Sequence, residues 1–189
     1  MSRIISGLAG SIRLAAAPTG TRPTSDRVKE SLFASLEAAG AIENADVLDL
    51  FAGTGALGLE ALSRGAKSLV AIESARAALN VCLKNSASVG TALSAAGVRP
   101  PMEIKLSDAV AYLSSTSKEF DLVFADPPYD LDVAGKLLER VSAVLRPKGL
   151  FVLELSSKAE SPKPPVGIEL TSEKAYGDTK VLIFRLTAQ

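Results

Sequence analysis

The chain contains no histidine and no tryptophan, a single cysteine, two methionines, and aromatic side chains at only 5% of its 189 positions. Without imidazole, neither a Ser-His nor a Cys-His nucleophilic triad can be assembled, and the usual Cys/His zinc sites are excluded, so no metal is expected. Any reaction must run without histidine. Cys82 has no second thiol with which to form an internal bridge, and within a helix-like run it reads as a buried, inert thiol. No apolar run approaches the roughly 20 residues that a membrane span requires, and no basic leader with a cleavage site opens the chain, so the expectation is a cytoplasmic protein without a membrane partner. Net charge is absent too, with 21 basic against 21 acidic residues, which argues against a polyanion-binding surface spread over the whole molecule.

That neutrality conceals an asymmetry. Residues 1–30 hold Arg3, Arg13, Arg22, Arg27 and Lys29 against Asp26 and Glu30, while the remainder carries 16 basic and 19 acidic residues. A basic arm on a mildly acidic body is the pattern of a phosphate-contacting segment, and equally that of a solvated surface. In this arm Arg3–Ser6 and Ser11–Leu14 flank Gly7-Leu8-Ala9-Gly10, which predicts a small hairpin. A linker over Pro18–Thr24 follows. Val28, Leu32, Phe33 and Leu36 then recur at helical spacing until Gly40.

From Ala45 onward strand-like and helical runs alternate. Strands are predicted over Val47–Phe51, Ser68–Ile72, Glu103–Leu106, Leu122–Ala125 and Leu150–Leu155, and helices over Leu57–Arg64, Ala75–Val89, Ala109–Leu113 and Val133–Val144. Such βα units imply an α/β fold with a mostly parallel sheet covered on both faces. Only Ala175–Lys180 separates the last two runs, Ile168–Lys174 and Val181–Leu186, which is too short for a crossover helix. The last strand is therefore expected to be antiparallel. Thr91–Pro101 and Ser156–Gly167 read as surface connections.

The chemistry concentrates at strand ends. Asp49-Leu50-Phe51 leads into Ala52-Gly53-Thr54-Gly55 at the first βα turn, where glycines let the backbone approach a ligand and free N–H groups attract an anion. Glu73 ends the next strand, twenty residues after Gly53, as suits a carboxylate that accepts hydrogen bonds from ribose hydroxyls. These two features alone fit NAD as well as S-adenosyl-L-methionine. Asp49 inclines the balance, because a carboxylate there suits a cationic amino group and sits poorly beside a pyrophosphate. Asp126-Pro127-Pro128-Tyr129 follows another apolar strand and offers acceptors to an exocyclic amine, a stiffened loop, and a ring on which a base can stack.

Asp49–Ala61, the Asp126–Tyr129 loop and Arg22-Pro23-Thr24-Ser25-Asp26-Arg27-Val28-Lys29-Glu30 together resemble the bacterial small-subunit ribosomal RNA guanine-N2 methyltransferases. Arg3–Gly7 and Tyr176–Thr179 fit as well, so the resemblance spans nearly the whole chain, with Thr54 standing where serine is more usual. The resemblance implies a Rossmann-like class I methyltransferase of seven strands, the last antiparallel, preceded by the hairpin and linker of residues 1–24 as an RNA-contacting extension of a 25–189 catalytic domain. It implies S-adenosyl-L-methionine as donor and guanine 966 of 16S ribosomal RNA, free or in the small subunit, as target. Independently of the resemblance, the chain is expected to act as a monomer. Asp126, Pro127, Pro128 and Tyr129 are the catalytic candidates. Asp49, Phe51, Ala52, Gly53, Thr54, Gly55, Glu73, Ser74, Asp108 and Ala109 are expected to hold the cofactor, with Asp108 on the adenine amine. Arg3, Arg13, Arg22, Arg27 and Lys29 are expected to face RNA. The rivals are a DNA adenine-N6 methyltransferase, for which no separate target-recognition domain is visible, a nicotinamide-dependent dehydrogenase, which the Asp126 loop disfavours, and a non-catalytic RNA-binding factor.

Overall fold

The computed structural model of the chain describes residues 2–16, 26–128 and 133–187. Arg22, Tyr129 and the Pro18–Thr24 linker named above lie outside the described residues, as does the boundary between the two expected units.

The elements run α1 (Asp26–Ala38), β1 (Asp46–Asp49), α2 (Ala56–Ser63), β2 (Ser68–Glu73), α3 (Arg76–Ala95), β3 (Met102–Leu106), α4 (Ala109–Ser115), β4 (Phe120–Ala125), α5 (Ala134–Val141), β5 (Leu145–Ser156), β6 (Ile168–Tyr176) and β7 (Thr179–Leu186). They build one seven-stranded sheet in the order β3-β2-β1-β4-β5-β7-β6. The pairs from β3 through β5 are parallel, and β7 pairs antiparallel with both β5 and β6. The expected antiparallel last strand is present, inserted between β5 and the edge strand β6. No helix among the described residues is long and apolar enough to cross a membrane.

Alternation along each parallel strand divides the core between the two faces of the sheet. Val47, Leu69, Ala71, Leu122, Phe124 and Val152 pack with Phe33 and Leu36 of α1, Leu59 of α2 and Cys82, Val89 and Leu93 of α3. Leu48, Val70, Ile72, Val123, Ala125 and Leu153 pack with α4 and α5 on the other face. Near-continuous apolar strands are what a parallel sheet buried on both faces requires. Cys82 is fully buried, and burial pushes its thiol up to about 12, in keeping with the inert role read from the sequence.

Several boundaries differ from expectation, among them the end of α5 at Val141 in place of Val144. The Thr91–Pro101 stretch is not wholly a loop, because α3 continues to Ala95 before Gly97, at φ 83°, ends it. Alanine and serine sustain helix there, and Leu93 supplies a fully buried anchor. The first strand stops at Asp49, after which Leu50 and Ala52 donate N–H bonds outward to Phe124 and Ile72 carbonyls. The strand over Leu150–Leu155 begins earlier, at Leu145, with a register shift against β4 between Phe120 and Leu122.

The arm folds back on itself through one antiparallel bridge, Arg3 to Arg13, and not through two full strands. Its turn lies against the C-terminal end of α2: Leu8 N–H donates to the Ser63 carbonyl (2.8 Å), and Ala9 N–H to Ser63 Oγ (2.9 Å). A Cβ on Gly7, at φ +84°, would come within 1.9 Å of that carbonyl oxygen, so only glycine fits. Ile4, Ala9 and Leu14 join the main core cluster.

Candidate active site

Four adjacent parallel strands end in acidic residues along one edge. Asp108 follows β3, Glu73 closes β2, Asp49 closes β1 and Asp126 follows β4, in the spatial order β3-β2-β1-β4. Neighbouring strands lie about 4.8 Å apart, so this row extends for roughly 14 Å across the sheet.

The glycine loop crosses the middle of the row. Gly53 and Gly55 take left-handed backbone angles, φ 53° and 81°, and Gly55 N–H donates back to the Ala52 carbonyl at 2.6 Å. A Cβ on Gly55 would meet Cys82 Sγ and Leu59 Cδ1 at 3.0 Å, whereas one on Gly53 would meet nothing nearer than 3.9 Å. The loop is thus packed from below at Gly55 and open at Gly53, a backbone cradle with room above it. Phe51 and Thr54 are partly buried beside it, and Ala52 is buried.

Glu73 buttresses this cradle. Its Oε2 accepts the Gly53 N–H (2.8 Å) and its Oε1 the Ala75 N–H (2.7 Å), which leaves a further lone pair on each oxygen. Ser74 beside it is exposed. Asp108 caps α4, with Oδ1 accepting from Ala111 N–H at 2.8 Å, and Ala109 behind it is buried.

Asp49 is 2% exposed, and its Oδ2 accepts the Gly58 N–H at 3.2 Å. Burial pushes its carboxyl up to about 7. The Gly58 and Phe51 backbone donors oppose that rise, and the nearby charges of Asp126 and Glu73 add to it. Among the described residues, the charges that act on this buried acid are thus themselves negative. The set of acceptors accordingly fits a ligand that carries an ammonium group at the β1 end and hydroxyls at the β2 end.

Beyond β4, Asp126 is partly buried, Pro127 buried and Pro128 exposed. The structure therefore brings together Asp49, Gly53, Thr54, Gly55, Glu73, Asp108 and Asp126 at one edge. Sequence reasoning missed Glu154. Ala125 pairs with Leu153, so Glu154 of β5 stands level with Asp126, and alternation from Val152 puts it on the α1 face at 5% exposure. A lone acid inside the apolar run Leu150–Leu155 was the available signal.

The basic arm requires one correction. Lys29 is fully buried and so presents nothing to RNA. Its Nζ donates to the Arg3 carbonyl and lies 3.8 Å from Glu60 and 3.9 Å from Asp26. Burial lowers its pKa, against the opposing charges of Glu60 and Asp26. It anchors the arm because Glu60 of α2, also fully buried, accepts the Ile5 N–H (2.7 Å), the Ser6 N–H (3.1 Å) and Arg64 Nε (2.7 Å). Helical periodicity places Lys29 next to Val28, on the buried side of α1, which is where the charge count misled. Arg3, Arg13 and Arg27 are exposed, with Arg3 in a surface pair with Asp26 at 3.5 Å.

A second missed residue is Asn85 of α3, 2% exposed. Its Oδ1 accepts the Ala15 N–H (2.8 Å), and its Nδ2 donates to the Thr54 carbonyl (2.9 Å). Its signal was a polar residue within the helical stripe Cys82, Ser86, Val89.

Comparison with known proteins gives concordant results. The family profile described as conserved hypothetical protein 95 matches residues 2–185. Ribosomal RNA small subunit methyltransferase D of Escherichia coli (strain K12) is 36% identical over 173 residues, covering 90% of this chain and 82% of its own. The protein of the same name from Haemophilus influenzae is 33% identical over 183 residues, covering 93% and 89%. The solved structure of the Escherichia coli protein yhhF, provisionally described as a methyltransferase, superposes with a TM-score of 0.83 at 33% identity, over 100% of this chain and 99% of that one. SMU.776, likewise provisionally described and solved in complex with SAH, shares the fold at a TM-score of 0.61 and 14% identity, over 84% of this chain and 50% of that one.

Proposed function

This chain belongs to the family of the small-subunit ribosomal RNA methyltransferases D, and from that premise we propose that it transfers a methyl group from S-adenosyl-L-methionine to the exocyclic N2 amine of a guanine in 16S ribosomal RNA, guanine 966 by resemblance. The observation that carries this reading is the row of carboxylates at the ends of β3, β2, β1 and β4, crossed by an open glycine cradle, with only negative charges beside Asp49 among the described residues.

The residues divide the work by position in the row. Asp49 receives the ammonium of the donor's methionine end, and the Gly53-Thr54-Gly55 backbone, with Phe51 and Ala52, lines that end. Glu73 accepts from the ribose hydroxyls with the lone pairs its backbone donors leave over, and Ser74 borders it. Asp108 accepts from the adenine amine through Oδ2 while Oδ1 remains committed to its helix cap, with Ala109 packed behind. When bound, the donor supplies an electrophilic methyl carbon on a sulfonium.

Asp126 and the Pro127 carbonyl accept from the target NH₂, which directs the nitrogen lone pair away from the ring and toward the methyl. Pro128 stiffens the loop and Tyr129 stacks on the base. Holding the nitrogen in line at near-attack distance is the main catalytic task, since the amine needs no strong base before transfer. A stacked base cannot reach this edge, so the target guanine is looped out or flipped. Arg3, Arg13, Arg22 and Arg27 contact RNA phosphates.

The test is single-turnover transfer from labelled donor to a 16S ribosomal RNA transcript, to assembled small subunits and to duplex DNA, followed by mapping of the labelled base. Asp126→Ala is expected to lower the rate roughly a hundredfold while S-adenosylhomocysteine affinity stays within about twofold, as for a group that orients the nucleophile. Label on adenine N6 of DNA in place of guanine N2 would overturn the substrate assignment, and an undiminished rate in the variant would overturn the role of Asp126.

A further inference from the structure

Asn85 joins two parts of the molecule that are far apart in sequence. Its buried amide receives the Ala15 N–H on Oδ1 at 2.8 Å, and its Nδ2 lies 3.4 Å from the carbonyl of the same residue, so the side chain pairs with both polar groups of Ala15 as a neighbouring strand would. The same Nδ2 donates to the carbonyl of Thr54, between the two left-handed glycines of the loop, at 2.9 Å. Ala15 lies one residue before the end of the described arm, which continues toward Arg22.

We propose that Asn85 is a positioning residue that couples the glycine loop to the seating of the N-terminal arm, so that donor and RNA assist one another's binding. The inference rests on the methyltransferase reading of both sites. An amide is planar, and its oxygen and nitrogen move together. Any rotation of the Thr54 peptide that draws Nδ2 away also displaces Oδ1 from Ala15, and because the amide is buried, water does not replace either bond. A ligand that fixes the Thr54 carbonyl therefore favours the amide orientation that holds the arm. By linkage, RNA that fixes the arm favours the loop conformation that holds the donor, by the same factor.

Asn85→Asp is the discriminating variant. It keeps an acceptor for the Ala15 N–H but turns a carboxylate oxygen against the Thr54 carbonyl. Asn85→Ala removes both links, and should it fail to fold, Asn85→Asp carries the test. Two readouts apply, each on protein shown folded by its melting curve. The first is hydrogen exchange of the peptide spanning residues 8–16, with and without saturating S-adenosylhomocysteine. In the parent the ligand is expected to slow exchange about fivefold or more, and in Asn85→Asp to leave it nearly unchanged. The second is affinity for a 16S ribosomal RNA transcript with and without S-adenosylhomocysteine, where a ratio of about five or more in the parent is expected to fall close to one in the variant. A purely structural Asn85 would lower the melting temperature and leave both ratios intact, which overturns the proposal, as does a parent whose exchange ignores the bound ligand. Absence of S-adenosylhomocysteine binding to the parent in calorimetry removes the cofactor reading and the coupling together. Ligand-slowed exchange without binding to either the transcript or assembled small subunits upholds the link between arm and loop while overturning the RNA half and the RNA reading.

Discussion

The two buried carboxylates on either side of α2 keep opposite company. Glu60, on the side that faces the arm, is surrounded by Lys29, Arg64 and two backbone N–H donors. Asp49, beneath the start of the same helix, accepts backbone bonds and faces the negative charges of Asp126 and Glu73. Burial is nearly complete for both, so the difference lies in compensation. A charge that the fold has balanced with its own cations belongs to the framework. One that is buried with like charges nearest to it among the described residues is, on the proposed reading, the one a ligand balances, a contrast that residue type alone does not reveal.

The sharpest way to break the comparison is to remove the compensated acid. Glu60→Ala leaves Lys29 buried without its main partner and orphans the Ile5 and Ser6 N–H groups, and is expected to destabilise the protein by roughly 3–5 kcal/mol. Urea unfolding measures this directly, and an unchanged midpoint would show that the arm is held by its apolar contacts alone.

Asp49→Asn should act with the opposite sign. The folded carboxyl titrates at about 7, above the ordinary value of 3.8, so its contribution to stability is fully present below roughly pH 4 and is lost as pH rises to about 7. Asparagine escapes that loss. The free variant is expected to be more stable than the parent at pH 8, by on the order of 1–4 kcal/mol, and equal to it near pH 4. The same substitution removes the proposed seat of the donor's ammonium, so S-adenosylhomocysteine affinity should fall about tenfold or more. For the parent, that affinity should increase with pH up to about 7 as the carboxylate forms. A variant that melts lower at pH 8 but binds normally would mean that Asp49 is framework after all.

The smallest effect on the fold is expected at charges that are neither compensated inside nor buried at the site. Replacing exposed Arg3, Arg13 and Arg27 together with alanine should shift stability by no more than about 0.5 kcal/mol per position, even though Arg3 gives up its surface pair with Asp26. Transcript affinity should nevertheless weaken, and its salt dependence should flatten, by up to about 0.7 in slope for each single-strand phosphate that the arm no longer neutralises. An unaltered slope would assign these arginines to solubility.

Much of this architecture follows from local pattern. Apolar runs at strand length, alternating with helical periodicity, are sufficient to predict a doubly covered parallel sheet, and six residues between the last two strands exclude a crossover. The glycine loop, Glu73 and the Asp126 turn could be named because each depends on residues adjacent in sequence or on one βα spacing, which the chain fixes by itself. The extension of α3 to Ala95 was less visible, since Gly97, Pro100 and Pro101 give the stretch the composition of a loop, and only the buried seat of Leu93 shows that its first turn is helix.

What only the tertiary structure decided is which inward-facing polar groups find partners. Helical spacing aligns Lys29, and not Arg27, with Leu32, Phe33 and Leu36, but that an ammonium can be buried there beneath the arm depends on where Glu60 of a different helix arrives. The same holds for Asn85, whose partners Ala15 and Thr54 lie 70 and 31 residues away, and for Glu154, brought level with Asp126 by strand register. Sequence sets periodicity, turns and the identity of each group. The electrostatic state of a group depends on desolvation and on neighbours within a few ångströms, and those exist only once distant segments have packed together.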